Sequence, residues 1–73
     1  MRCYADILRE LREDADLTQS AGAAILGTTQ QVYARYERGL NELPLHHLQT
    51  LCRYYHVSAD YILCLPHDLR WPR

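Results

Sequence analysis

Residues 17–39 read LTQSAGAAILGTTQQVYARYERG, and the punctuation of this stretch decides the fold. Thr18 is a good helix N-cap, and the small and apolar residues from Gln19 to Leu26 make a helix. Gly27 closes it, because glycine enters the left-handed backbone region at no steric cost. Thr29 repeats the cap, and a second helix is expected from Gln30 to about Arg38, with Gly39 as its stop. Tyr33 and Tyr36, spaced i, i+3, give this helix an inward face. Two short helices joined only by Gly27, Thr28 and Thr29 form a helix-turn-helix unit.

The flanks extend the same pattern. Tyr4, Ile7, Leu8, Leu11 and Ala15 fall on one face of a preceding helix. Beyond the central stretch, Pro44 suits a first helical turn, and Leu45, Leu48, Leu51, Cys52 and Tyr55 line one face. His56 and Val57 end that helix. Ser58 caps a short fifth one, with Asp60 placed favourably in its first turn and Val57 and Ile62 at the spacing of a hydrophobic staple. The sequence therefore predicts an all-α protein of five short helices, one domain over residues 1–65, with an irregular tail over 66–73.

Composition narrows the function. The 73 residues allow one small domain, and twelve Leu against five Val plus Ile favour helix over sheet. All eight basic residues are Arg, opposed by nine acids for a net charge of −1, which excludes a strongly basic chromatin-type protein. Specific DNA binding stays open, because it depends on where the charge lies. Three Cys without a CxxC pair speak against a disulfide framework or a zinc finger. Acids occupy the start of the chain where a signal peptide needs an apolar core, and no apolar run approaches membrane-spanning length. A soluble cytoplasmic protein is the expectation.

With these residues in view, the stretch resembles the helix-turn-helix of Cro/CI-type phage and bacterial repressors, the XRE family. The resemblance rests on Leu17-Thr18-Gln19, the small Ala23, Leu26, Gly27, Tyr33, Tyr36 and the closing Glu37-Arg38-Gly39. It extends to LRELRED before the stretch and YYHVSADYIL after it, covering roughly residues 4–65. It implies a lambda-repressor-like, five-helix DNA-binding domain whose third helix enters the major groove while the second crosses the backbone. It also implies a homodimer on near-palindromic operators, with no cofactor and no membrane.

Within that docking mode Gln30 and Gln31 sit at the exposed start of helix three. Glutamine pairs bidentately with adenine, and TTQQ resembles the start of a lambdoid repressor's recognition helix. Outside this motif, two solvated glutamines would be the simpler reading. Arg35, one turn beyond Gln31, reaches a guanine edge or a phosphate, or is a surface Arg. Val32 offers methyl contacts to thymine or is a neutral exposed position. The resemblance places Gln19 on a backbone phosphate, helped by the free amides of its helix start; otherwise it is a simple first-turn residue. Thr29 at the start of helix three, and Arg38 and Asn41 flanking its close, are positioned to hold phosphates, or the last two are plain surface residues. It pairs Glu37 with Arg12 of helix one as a partly buried structural ion pair. From residue 17 to 36 Arg35 is the only charge, so the expected face is neutral to mildly positive. The loop after helix three, often basic in the family, reads Leu40-Asn41-Glu42-Leu43, which weakens the non-specific electrostatic term.

Helix two departs from the family at Gly22, where a large aliphatic is usual. Either the core collapses onto Gly22 or a cavity remains: Gly22→Leu stabilises in the second case and overpacks in the first. His46, His47, Cys52 and His56 suggest a metal only superficially, since Cys52 falls on the apolar face. Cys64 stands where the family commonly ends helix five with Gly. No nucleophile, base and orienting group recur together, so an enzyme is not expected. The expected function is a sequence-specific DNA-binding transcriptional regulator, most simply a repressor. The alternative is an antitoxin or anti-repressor module acting mainly through a protein partner.

Overall fold

Short hydroxyl side chains start three of the helices. The computed structural model describes residues 4–65, and the tail over 66–73 lies outside the described residues. Thr18, Thr29 and Ser58 each stand in extended backbone, and their side-chain oxygens accept from the third following amide, of Ala21, Val32 and Tyr61, at 3.1, 3.2 and 3.3 Å. The elements are α1 (Tyr4–Asp14), α2 (Gln19–Leu26), α3 (Gln30–Glu37), α4 (Leu45–Tyr55) and α5 (Ala59–Leu63), with no strand among the described residues. Pro44 precedes α4 without a side-chain cap.

The stops are equally local. Gly27 at φ +69° gives its amide to the carbonyls of Ala23 and Ala24, and Thr28 bonds back to Ala23 at 3.0 Å. This left-handed cap turns the chain within three residues, so α2 and α3 pack on one another directly. Cys64 ends α5 at φ +60°, a conformation that glycine adopts more cheaply. The chain leaves α1 through Asp16 at φ +56°, with Leu17 bonding back to the carbonyl of Arg12 at 3.0 Å.

Two positions depart from the helical stripes read in the sequence. Ala15 was expected on the inner face of the first helix, yet α1 stops at Asp14 and the left-handed turn at Asp16 leaves Ala15 exposed. Leu45 was expected to face the core with Leu48 and Leu51, yet it is 79% exposed. It occupies the first position of α4, beyond the reach of the core, and borders a shallow apolar groove with Tyr4, Pro44 and Leu63.

The core gathers Ile7 and Leu8 of α1, Ala23 and Leu26 of α2, Tyr33 and Tyr36 of α3, Leu48 and Leu51 of α4, and Ile62 of α5. Tyr33 is the largest side chain fully inside it. The ring explains Gly22: a Cβ built on Gly22 would lie 2.7 Å from Tyr33 Cζ and 2.9 Å from its Oη. The large side chain that α2 lacks is thus supplied from α3, and the space is filled rather than empty. The exchange brings a cost, because the Tyr33 hydroxyl is buried without a hydrogen-bond partner among the described residues, as is that of Tyr55 on α4.

This packing predicts the sign of a substitution. Gly22→Leu should lower stability by roughly 1–3 kcal/mol through overpacking, despite leucine's better helix propensity. Adding Tyr33→Val removes the ring and should return most of that loss. Denaturant melts of both single variants and the double one check this, and strictly additive losses would overturn the complementarity of the two positions.

Candidate nucleic-acid interface

The inward and outward faces of α3 divide cleanly. Tyr33, Tyr36 and Glu37 are buried, while Gln30, Gln31 and Arg35 are exposed, and Gln31 and Arg35 share a face at i, i+4 spacing. Val32 is half-buried and packs partly against the core, which limits what its methyls present outward. Thr29 Oγ1 holds the Val32 amide at 3.2 Å and Tyr33 N–H bonds to the Thr29 carbonyl at 2.9 Å. The amides of Gln30 and Gln31 are left without an acceptor within the helix. At the head of α2 the same arrangement leaves those of Gln19 and Ser20. Both helix starts therefore present backbone donors and a partial positive charge.

The close of α3 is fixed by backbone bonds. Leu40 and Asn41 donate to the carbonyl of Arg35 at 2.9 and 3.4 Å, and Asn41's own carbonyl accepts the Tyr4 hydroxyl at 3.2 Å. Arg38 is exposed at the C-cap, and Asn41 is half-buried. Next to them the surface turns apolar, with Leu40 63% exposed.

Glu37 is buried, at 6% exposure, and does not belong to this face. Its carboxylate takes Arg12 Nε at 2.6 Å and Nη2 at 3.1 Å, a bidentate pair in which the Arg12 side chain is 12% exposed. Arg12 Nη1 also donates to the Leu17 carbonyl at 2.8 Å. A third bond reaches Glu37 from Gln19 Nε2 at 3.3 Å. Gln19, read in the sequence as a phosphate ligand or a simple first-turn residue, therefore also has an internal partner, which no spacing in the sequence disclosed. Burial raises the Glu37 pKa, but the bonds from Arg12 and the Gln19 amide, with the Tyr33 hydroxyl nearby, outweigh it and hold the group below its ordinary value of 4.5. Burial, with Glu37 close by, pushes the Tyr33 hydroxyl far above its ordinary range.

On α1, Asp6 meets Arg9 at 3.9 Å and Glu13 meets Arg12 at 4.0 Å. His47 packs edge-on against Tyr36, its titration lowered by burial and by His46. The described residues contain no cluster of three His, Cys, Asp or Glu placed to hold a metal ion. No helix among them is long and apolar enough to cross a membrane.

Two exposed helix starts, a polar outward stripe on α3 and a three-residue turn define a helix-turn-helix domain. A helix-turn-helix family model matches residues 8–62, and the chain belongs to that family, in its XRE (Cro/CI) branch. It is 40% identical over 65 residues to an uncharacterized HTH-type transcriptional regulator, YobD, of Bacillus subtilis, and spans 58% of that relative's length. Its fold is similar to that of the P22 c2 repressor, solved with a synthetic operator, at TM-score 0.78 and 22% identity, covering 86% of this chain and 96% of that one. A similar fold also forms part of the hydroxypropylphosphonic acid epoxidase from S. wedmorenis, at TM-score 0.72 and 28% identity, covering 82% of this chain and 32% of that one. The shared fold alone thus does not decide the chemistry; the side chains on the exposed face do.

The Glu37 environment predicts an acid limit. Its folded pKa lies below the unfolded one, so the stabilisation is complete above pH about 5 and drains as pH falls through the folded value. Glu37→Gln should remove this part of the acid slope, and identical slopes for both proteins between neutral pH and strong acid would show that Glu37 carries none of it. At neutral pH Glu37→Ala should cost roughly 3 kcal/mol, because Arg12 is left charged and largely buried.

Proposed function

We propose that the chain is a sequence-specific DNA-binding transcriptional regulator acting as a repressor, with α3 reading the major groove. The observation that carries this reading is the outward stripe of Gln30, Gln31 and Arg35 between two helix starts rich in free amides. Glutamine amides match the paired donor and acceptor of adenine, and helix starts match phosphates. In this reading Gln30, Gln31 and Arg35, with Val32 at the margin, meet base edges. Gln19, Thr29, Arg38 and Asn41 hold the backbone. Such a protein works where its DNA lies, in the cytoplasm.

Dimerisation belongs to the same proposal. Tyr61 and Leu65 are 43% and 42% exposed at the α5 end, and the sequence continues with Leu69 and Trp71, which lie outside the described residues. A homodimer through this end sets two recognition helices about one DNA turn apart, roughly 34–36 Å. Sedimentation should then show a dimer at high micromolar concentration or on operator DNA, and a monomer under both conditions would overturn it.

A second reading, an antitoxin or anti-repressor acting through a protein partner, draws support from exposed Leu40 and Leu45 beside the acidic Glu42. A purified protein that shifts a palindromic promoter fragment alone supports the first reading, and one that shifts it only with a partner supports the second.

Base reading has a specific signature. Gln30→Ala or Gln31→Ala should weaken binding to a selected operator by roughly 1–3 kcal/mol and relax preference at an adenine-bearing position. The salt slope should stay as it was, because neither residue is charged. Arg38→Ala should weaken binding on every sequence alike and reduce the slope by about one. Salt titrations on operator and scrambled DNA check this, and equal losses of the glutamine variants on both would refute sequence reading by them.

A further inference from the structure

We propose that Glu37 is a positioning residue for DNA contact: it cannot touch DNA itself, but it presets the Gln19 side chain at the head of α2. The inference rests on the reading above, in which Gln19 meets a phosphate. Three observations carry it. The Glu37 side chain is only 3% exposed, so it acts through a neighbour or not at all. It holds Gln19 Nε2 at 3.3 Å, and a carboxylate can only accept, so the end of the amide turned towards Glu37 is the NH2 end. One N–H of that group is spent on Glu37, which leaves the second for an outside acceptor. Finally, the Arg12 that pairs with Glu37 also grips the Leu17 carbonyl at 2.8 Å, immediately before the Thr18 cap. The same ion pair therefore fixes both the backbone entering α2 and its first side chain.

The consequence is preorganisation. A glutamine free in solvent samples many rotamers and either amide orientation, and it loses that freedom on meeting a phosphate. Gln19 loses it on folding, before DNA arrives. A purely structural Glu37 would affect melting but not the DNA affinity of the folded protein, and that difference separates the two roles.

The test uses a labelled random-sequence duplex at low ionic strength, since a phosphate contact does not depend on sequence. The variants are Gln19→Ala, the paired Arg12→Met/Glu37→Met, their combination, and Glu37→Gln. The paired change strands no charge. Gln19→Ala and the paired variant should each weaken binding roughly three- to tenfold, the scale of one hydrogen bond, and the combination no more than either alone. Glu37→Gln keeps an acceptor and should stay close to wild type on DNA while melting earlier. Any loss it does show should vanish when Gln19 is Ala, which carries the test if the paired variant does not fold. By NMR, the two Gln19 side-chain amide protons should be well separated in the wild type and move together in the paired variant. Full additivity, or wild-type affinity in the paired variant, overturns the positioning role. So does a salt slope smaller by about one in the paired variant, which would place Arg12 itself on a phosphate. A harmless Gln19→Ala overturns the Gln19 contact and this role while the DNA reading stands, whereas a wild type that binds no duplex overturns the reading itself.

Discussion

A carboxylate sits inside this small protein, and the arrangement of its first three helices follows from what keeps it there. Left alone, Glu37 would take a proton or pull its helix end outward, since an uncompensated buried charge is too costly for a domain of this size. Arg12 answers with two bonds to the carboxylate and a third to the Leu17 carbonyl, and Gln19 adds another to Glu37. The end of α3, the last turn of α1 and the start of α2 are thus tied at one point. That point is where a short α2 of only 8 residues most needs support, because it has no acidic residue in its first turn.

Beneath the ion pair the packing is unusual for its distribution of bulk. α2 contributes Gly22, Ala23 and Leu26, and α3 contributes Tyr33 and Tyr36. Trading a large side chain on α2 for a large ring on α3 keeps the volume but changes the chemistry, since the ring carries a hydroxyl into an apolar place. The orphaned hydroxyl of Tyr33 is the residue of that trade. It gives up hydration without regaining a hydrogen bond, and the ring's buried area offsets the loss.

The fold was largely legible in the sequence because its determinants are local. Thr18, Thr29 and Ser58 before helical runs, and Gly27 and Gly39 after them, act within four residues of themselves. The exposure of Gln30, Gln31 and Arg35 follows from the helical period once Tyr33 and Tyr36 are placed inward. What escaped was set by distance in sequence or by helix ends. No spacing connects Gly22 with Tyr33, or Gln19 with Glu37, because those contacts exist only after α2 and α3 have docked. The link between Arg12 and Glu37 was readable through the family resemblance alone. Leu45 and Ala15 obeyed the period of their helices, but a stripe loses its meaning at a helix end, where the helix runs past its neighbours, as at Leu45, or the backbone leaves it, as at Ala15.

The electrostatics of the proposed DNA face then constrain how such a protein discriminates. Between α2 and the end of α3 the available cations are Arg35 and Arg38, and Arg12 is committed to Glu37. Each phosphate neutralised by a cation releases counterions and adds salt-dependent, sequence-blind affinity. A surface with few cations gains little of it, so the gap between operator and bulk DNA rests on neutral donors: glutamine amides at base edges and backbone amides at phosphates. These contacts act only at hydrogen-bonding distance and in one orientation. A face built this way has to be rigid before it meets DNA, and the buried tie from Arg12 through Glu37 to Gln19 is the part of the structure that can supply such rigidity.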